Sequence, residues 1–286
     1  MAFARQVVNK IIDDERCFYK SIETSFINVT ADGEKQGRFG FNDCYNIEVI
    51  NSNFNLKYLF WNNCYLKVKN SNFTFNAEDA FWKVNNLTIQ SSNLYGPRSI
   101  RDSVNIVIDS CFVSSNEFAW KTYNFTCKNS KIFGFCSFFE CNYGLLDNVQ
   151  IIGDRTLYAA KSLTITNSFI DSKDCLTSCE NLLLRNCTVK GDQIGWYSSN
   201  VTLENCRIIG RKPFCFAKNI RFISCEFCGC DECFEQSEIN GNTFGYIKSI
   251  KDPLSGYLVV DIVPSFLYSK EENKNNRFVV RKYRNY

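Results

Sequence analysis

The chain repeats one pattern of apolar and polar positions about every 19 residues. In segments 46–54, 105–113 and 200–208 the pattern is Asn-Φ-x-Φ-x-(Asn/Ser)-(Ser/Cys)-x-Φ, where Φ is apolar. The second polar position recurs in steps of 19 residues, with one step of 21, at Asn51, Asn70, Ser91, Ser110, Asn129, Asn148, Asn167, Asn186, Asn205, Ser224 and Thr243. A repeat of fixed length sustained in this way predicts a solenoid with one coil per repeat.

The apolar positions of the repeat form three columns. The columns that begin at Ile47 and Val49 are separated by one polar residue, a period typical of a β-strand, and a third begins at Phe54. Helices do not fit beside three short strands in 19 residues, and the unit lacks the internal hexapeptide of left-handed β-solenoids. The sequence therefore predicts an all-β fold, a right-handed parallel β-helix (solenoid) formed by a single chain, with about 11 coils of 19 residues.

The recurring Asn and Ser position predicts a tight corner in each coil. Asn tolerates the left-handed backbone conformation that such a corner needs. Because coils stack at about 4.8 Å, amides at equivalent positions lie over one another and form hydrogen bonds along the axis. We therefore interpret this column as an asparagine ladder with a structural role.

The repeat predicts a single β-helix domain over residues 1–286. Within it, residues 4–45 are expected to form an irregular N-terminal cap and first coil, because the ends of a solenoid must shield its terminal coils. Residues 46–246 form the regular coils, and 247–286 form C-terminal strands and a cap.

Composition and charge narrow the classes of partner. The formal net charge is +3, without a basic run, so we expect no nucleic-acid partner. No apolar stretch has the length that a membrane span needs, so we expect no membrane partner. Residues 1–6 lack the apolar core of a signal peptide, and the 16 cysteines are then expected as reduced thiols. These observations predict a cytoplasmic protein.

The chain contains no histidine. This excludes Ser–His and Cys–His nucleophilic pairs and zinc sites built from His. The cysteine cluster from Cys225 to Cys233 has no second Cys-x-x-Cys pair nearby to complete a tetrahedral zinc site. No nucleotide-binding fingerprint is present either. We therefore expect no metal and no cofactor.

Five segments resemble one family along nearly the whole chain. They are ERCF at 15–18, LFWNNC at 59–64, PRSIRD at 97–102, GWYSSN at 195–200 and IKDPLSG at 250–256. The family is domain of unknown function 3737. The resemblance implies a right-handed parallel β-helix of the pectin-lyase-like kind, and it implies no activity, cofactor or catalytic residue.

One column of the segment after the turn is rich in aromatic residues, and its neighbour, with Phe60 and Phe81, is apolar core. If alternation holds, the aromatic column faces outward and offers stacking surfaces to sugar rings. Alternatively, the strand bends and both columns pack inside. The expected ligand-binding residues are Trp61, Trp82, Trp120, Phe139, Tyr158 and Trp196, with Lys83 and Arg98 beside them.

The next column carries charges. Asp102 and Glu140 lie two coils apart. At the usual strand spacing this predicts a separation of roughly 9.6 Å, at the upper edge for the carboxylate pair of an inverting glycosidase. Lys121 lies between them, where it is expected to pair with both, and Arg101 is close by. These four residues are the candidates for catalysis. The alternative is an ordinary charge-compensated ladder on a solvated face.

Three functions remain open from the sequence. The first is a β-helix scaffold that presents an aromatic and charged lateral face to an elongated ligand such as a glycan, a saccharide partner. The second is a glycoside hydrolase or polysaccharide lyase that acts on the same face. The third is a structural or protein-interaction solenoid with no small ligand. The sequence predicts neither the oligomeric state nor the identity of the ligand.

Overall fold

The chain folds as an all-β, right-handed parallel β-helix, which confirms the predicted fold class. The computed structural model describes residues 3–32, 39–270, 273 and 276–283. It has about 14 turns of roughly 19 residues, against the predicted 11, because strands also stack near the ends, where the apolar repeat is lost. Parts of the expected terminal caps, at 33–38, 271–272, 274–275 and 284–286, lie outside the described residues. The chain divides into unit 1 (residues 1–144) and unit 2 (residues 145–286).

The strands of unit 1 are short, and most pair in parallel with the strand one turn away. They are β1 (Arg5–Val8), β2 (Ile11–Ile12), β3 (Ile22–Ile27), β4 (Thr30–Ala31), β5 (Tyr45–Ile50), β6 (Asn53–Phe54), β7 (Cys64–Lys69), β8 (Asn72–Phe73), β9 (Phe81–Trp82), β10 (Asn85–Gln90), β11 (Asn93–Leu94), β12 (Ile100–Arg101), β13 (Val104–Asp109), β14 (Phe112–Ser114), β15 (Tyr123–Lys128) and β16 (Lys131–Phe133). Strand β17 (Asn142–Asp147) contains the point of division.

Unit 2 shows the same alternation of a longer and a shorter strand in its first turns, followed by two consecutive long strands of 13 and 10 residues. Its strands are β18 (Gln150–Asp154), β19 (Lys161–Thr166), β20 (Phe169–Lys173), β21 (Glu180–Arg185), β22 (Thr188–Lys190), β23 (Ser199–Glu204), β24 (Arg207–Ile209), β25 (Lys218–Cys230), β26 (Glu238–Ile247), β27 (Ser249–Lys251), β28 (Ser255–Val260), β29 (Ser265–Leu267) and β30 (Arg277–Lys282).

The parallel register places equivalent apolar residues over one another. Between β5 and β7, Ile47 pairs with Leu66 and Val49 with Val68, and all four side chains are buried. Phe54, at the third predicted column, stacks on the Phe73 ring at 4.8 Å. Each such burial stabilises the fold by about 1.5–3 kcal/mol, so the apolar columns predicted from the sequence form the core.

The segment predicted as a third strand is mostly turn. It is extended only at β9 and β12 among the named strands of unit 1. Its residues enter the left-handed region at two or three positions per turn, as at Tyr58 (φ 55°) and Asn62 (φ 58°), and this interrupts a strand. The backbone still bonds between turns, since the Phe60 N–H donates to the Ala80 carbonyl at 2.9 Å.

The corner position has the predicted left-handed backbone, and its amides donate either to the equivalent corner residue or to the residue before it. Ten of its eleven residues have positive φ, and Thr243 is the exception. The side-chain amide of Asn186 donates to Asn167 Oδ1 at 3.2 Å, and that of Asn167 donates to Asp147 Oδ1 at 2.9 Å. A second amide ladder, which the sequence analysis did not identify, follows the first Asn of the repeat. In unit 1 its bond from Asn124 to Asn105 is 2.7 Å long.

The residue after the corner is small and buried, and it links successive turns. The Ser52 N–H donates to Ser71 Oγ at 3.1 Å, and the Ser71 hydroxyl donates to the Lys69 carbonyl at 2.9 Å. Cys111 occupies an equivalent position, where burial raises the pKa of its thiol to about 11. The thiol therefore stays protonated at neutral pH and acts as a small hydrogen-bonding group.

The single 21-residue step is absorbed outside the strands. Phe73 pairs with Phe54 across the regular 19 residues and with Leu94 across 21, whereas Gly96 lies over Ala77 at the regular 19 again, so the two extra residues lie at 75–76. The Ala77 N–H donates to the Thr74 carbonyl at 3.0 Å and closes this bulge, where Phe75 is 71% exposed. The extra residues therefore leave the strand register unchanged.

Asn167 provides a test of the corner. Asn167→Val places a β-branched side chain at φ 51° and should destabilise unit 2 by about 1–2 kcal/mol or more. Asn167→Gly is the matched control, because it loses the same amide bonds but tolerates the left-handed conformation. Urea denaturation of both variants measures the difference. Equal losses in the free energy of unfolding for Val and Gly would show that the amide bonds, and not the backbone conformation, account for the contribution of Asn167 to stability.

Candidate binding face

The predicted aromatic column lies beside the core and not within it. In unit 1, Phe60 and Phe81 are fully buried, whereas the adjacent Trp61 and Trp82 are half-buried. Trp120 is half-buried too, next to Ala119, which is 2% exposed. We call Trp61, Trp82, Trp120 and Phe139 the aromatic row. Its side chains reach the surface without being fully exposed.

The side chains of the aromatic row pack on one another along the axis. The Trp61 and Trp82 ring centroids are 5.8 Å apart, with 32° between the ring planes. The Arg101 guanidinium lies 4.1 Å from the Trp82 centroid. Trp120 and Phe139 meet edge to face at 5.3 Å. Neighbours one turn away therefore cover the faces of Trp82, and a ligand meets mainly ring edges.

The indole N–H groups of the row differ in their partners. Trp82 Nε1 donates to Asp102 at 3.0 Å. Trp61 Nε1 and Trp120 Nε1 are buried and have no hydrogen-bond partner within residues 3–32, 39–270, 273 and 276–283. Each unsatisfied donor costs about 1–3 kcal/mol. The row is therefore not optimised for stability alone.

Unit 2 holds its own aromatic cluster. Tyr158 is half-buried, and Trp196 Nε1 donates to the Lys212 carbonyl at 2.7 Å. Trp196 contacts Phe216 at 5.6 Å, and Tyr197 stacks on Phe216 at 5.2 Å with 14° between the planes. Tyr197, which the sequence analysis did not single out as a ligand contact, is the most exposed member at 58%.

The candidate catalytic carboxylates have different partners. Lys121 Nζ lies 3.5 Å from Glu140, and both side chains are about half exposed. Asp102 instead accepts the Trp82 N–H and lies 4.0 Å from Arg101 Nε. In the described part of the chain, Lys121 therefore forms one of the two ion pairs expected from the sequence, the one with Glu140.

The sequence analysis missed a buried carboxylate at the edge of this face. Asp79 is 1% exposed, and its Oδ1 lies 3.2 Å from Arg98 Nε and 3.1 Å from Arg101 Nε. Burial raises the pKa of Asp79 despite both arginines. Arg98 also pairs with Glu78 and with Glu117, the latter at 3.5 Å. The protein's own carboxylates thus engage the two arginines predicted to contact a ligand or substrate.

Cysteine thiols near the C-terminal end of unit 2 bond to the backbone. Cys225 Sγ donates to the Leu203 carbonyl and Cys230 Sγ to the Ile208 carbonyl, both at 3.3 Å. Among the described residues, no three His, Cys, Asp or Glu side chains are arranged to hold a metal ion. The same residues include no helix with the length and apolar character of a membrane span.

Several solved structures are similar to this chain at low identity. The surface adhesin PfbA of Streptococcus pneumoniae matches 86% of this chain and 82% of its own, with TM-score 0.42 and 11% identity. Tailspike protein 3 of bacteriophage CBA120 matches 97% and 51%, with TM-score 0.33 and 9% identity. The A-module of the mannuronan C-5 epimerase AlgE4 of Azotobacter vinelandii matches 99% and 87%, with TM-score 0.24 and 10% identity. No curated protein matches the sequence.

The family profile described as "Protein of unknown function (DUF3737)" matches residues 5–281. This match confirms the resemblance carried by the five sequence segments.

Asp79 and Asp102 form a matched pair for mutation. Asp79→Ser shortens a buried side chain that faces two arginines, so it loses both contacts and leaves a cavity, and it should destabilise the protein by about 1.5–3 kcal/mol. Asp102→Ser makes the same change at a side chain that is 41% exposed and has the same left-handed backbone, and it should stay within about 0.5 kcal/mol of wild type. Chemical denaturation at pH 7 measures both. An equal effect at the two sites would contradict the importance of burial at Asp79.

Glu78 predicts a pH dependence. The hydrogen bond from Lys57, aided by Arg98, lowers the pKa of Glu78 in the folded state. Its contribution to stability is therefore present above the unfolded-state pKa of about 4.3 and is lost as pH falls through the folded-state pKa. Glu78→Gln should be less stable than wild type by up to about 1 kcal/mol at pH 7, and the gap should close on acidification.

Lys57→Met is the companion variant, because it removes the largest cause of the shift while leaving Glu78 in place. Its deficit in the free energy of unfolding should shrink over the same acidic range. A deficit that persists at low pH in both variants would indicate that side-chain packing, and not charge, stabilises this site.

Proposed function

We propose that this protein, which belongs to the DUF3737 family, binds an elongated glycan along the aromatic row of unit 1. The observation that carries the proposal is the row itself: large aromatic side chains that reach the surface beside exposed polar side chains. The exposed neighbours are Lys83, Asp102 and Lys121. A mixed aromatic and polar strip of this kind suits a ligand that has both C–H surfaces and hydroxyl groups.

The periodicity of the solenoid supports an elongated ligand. Equivalent side chains recur at about 4.8 Å along the axis, so a polymer that lies along the row meets similar chemistry at successive turns. The flanking column supplies a donor at Lys83, an acceptor at Asp102 and the ion pair of Lys121 with Glu140. Because its charges alternate, we propose that the ligand is recognised by hydroxyl groups and apolar surfaces more than by net charge.

The contacts favour binding over hydrolysis at this face. A glycosidase needs one protonated carboxylic acid and one carboxylate, with space for sugar and water between them. Glu140 lies beside the Lys121 ammonium, and Asp102 accepts an indole N–H and lies near Arg101. Each candidate carboxylate is therefore already engaged by donor groups of the protein itself, and the two carboxylates do not share a partner.

A cytoplasmic location is part of the same proposal. It is supported by buried cysteines such as Cys111 and Cys225, whose thiols donate to backbone carbonyls of the preceding turn. Such thiols suit a reducing compartment, in which disulfides are rare.

The test is retention of the protein on affinity gels that contain plant and microbial polysaccharides. Wild type should be retarded by at least one polymer, and the double variant Trp82→Ala, Trp120→Ala should lose the retardation. The loss of two aromatic contacts should weaken binding by about tenfold or more. The matched control, Trp82→Phe with Trp120→Phe, keeps aromatic surface at both positions and should remain retarded.

Thermal unfolding of both double variants checks that they are folded. Retardation that survives the alanine double variant would contradict the proposal. Cleavage of a polysaccharide that disappears in Asp102→Asn would favour a hydrolase or lyase on the same face. If none of the polymers retards wild type, the structural or protein-interaction solenoid becomes the better explanation.

A further inference from the structure

A second concave surface lies on the longer strands of unit 1. It is a groove of about 380 Å³, at the lower end of the range of roughly 300–1,000 Å³ typical of small-molecule sites. We call it the amide groove. One wall is a single column, one residue from each of β5, β7, β10, β13 and β15: Asn46, Tyr65, Asn86, Asn105 and Asn124.

The backbone explains why this surface is concave. Each residue of the wall is left-handed, for example Asn46 at φ 55° and Asn86 at φ 61°, so each strand bends at this position. Side chains two residues later, including Thr88 and Val107, line the same groove. Because of this bend, the wall residues and the residues two positions later, which both face outward, line the same groove.

The wall offers hydrogen bonds at regular intervals. The Asn124 amide donates to Asn105 Oδ1 at 2.7 Å, and the Asn105 amide donates to Asn85 Oδ1 at 3.1 Å. A carboxamide has two N–H donors and two lone pairs, so each retains bonding capacity after these contacts. The side-chain amides of Asn46 and Asn86 have no partner within the part of the chain that the structure describes.

The same groove has apolar contacts. Tyr65 is 49% exposed at the wall, held from outside the groove by the Tyr45 ring at 5.4 Å. Val107 is 43% exposed among the polar side chains. Exposed aromatic and aliphatic groups beside amides and hydroxyls suit a ligand with alternating C–H and O–H surfaces.

Two alternative classes of ligand fit less well. A peptide that adds as a β-strand needs a free sheet edge, but β10 pairs with both β7 and β13. A nucleic acid or an acidic polymer needs several cations, and Lys67 is the charged side chain that lines this groove in the described chain.

We infer that the amide groove is a second binding site, for a short, neutral, unbranched oligosaccharide. This goes beyond the function proposed above, because the site lies on other strands and takes a ligand of limited length. Recognition is expected to come mainly from side chains, since β13 pairs with both β10 and β15 on either side of the wall residues.

Calorimetric titration with cellotriose and maltotriose tests the inference directly. Wild type should bind at least one of them, and Tyr65→Ala should weaken the affinity by about tenfold. Tyr65→Phe, which keeps the ring, should bind as wild type does. Val107→Trp places an indole in the middle of the trough and should abolish binding, and the exposure of Val107 favours normal folding of this variant.

The two sites are distinguished by testing the variants of each site in the binding assay of the other. The aromatic-row double variant, Trp82→Ala with Trp120→Ala, should bind the trisaccharide normally, and Tyr65→Ala should still be retarded by polysaccharide gels. The inference is overturned if wild type binds neither trisaccharide or if Val107→Trp binds as wild type does. Tighter binding of trigalacturonate than of the neutral trisaccharides would overturn the assignment of a neutral ligand.

Discussion

Backbone hydrogen bonds between successive turns fix the positions of the side chains on the stacked strands that the structure describes. The register of β5 on β7 sets Ile47 over Leu66, and that of β10 on β13 sets Leu87 over Ile106. At a spacing of about 4.8 Å, each side chain is in contact with its equivalents above and below. The residues of one column therefore tend to share their chemistry. A column tolerates only side chains that can pack against the equivalent side chains of the turns above and below.

This constraint produces different solutions for different side chains. Phenylalanine rings of the core stack, as Phe60 does on Phe81 at 5.5 Å. Charged residues alternate in sign, because like charges at this spacing repel, as in the sequence Asp79, Arg98 and Glu117 at steps of 19 residues. The aromatic row is the result of the same rule at the surface, and stacking within the row is why its ring edges, more than its faces, are available to a ligand.

The sequence predicted the parts of the fold that depend on the 19-residue period. Ile47 and Val49 identified the long strand, and Asn51 identified a left-handed corner, because both signals recur in successive 19-residue repeats. The third segment was assigned wrongly as a strand, since left-handed residues such as Tyr58 and Lys83 have ordinary side chains that do not reveal their φ angles. The additional turns near the ends were not predicted, because backbone pairing holds them together without a clear apolar repeat in the sequence.

The candidate sites were only partly predictable. The aromatic row was visible in the sequence, but the mutual packing of Trp61 and Trp82 depends on side-chain orientation. Asp79 was not predicted although it lies 19 residues before Arg98, because a carboxylate at a turn position gives no sequence signal that it is buried. The amide groove escaped because its wall, with Asn86 and Asn105, was interpreted as part of the repeat and not as a surface.

The bulge at Phe75 and Asn76 has a consequence for protein engineering. The same columns pair with the turn before and with the turn after, although two extra residues lie here, so the solenoid already accommodates extra chain at this point. The local turn from Ala77 to Thr74 separates the bulge from the strands. A reporter peptide or epitope inserted between Phe75 and Asn76 would project into solvent, whereas the same insertion within β10 would break the pairing of that strand with β7 and β13.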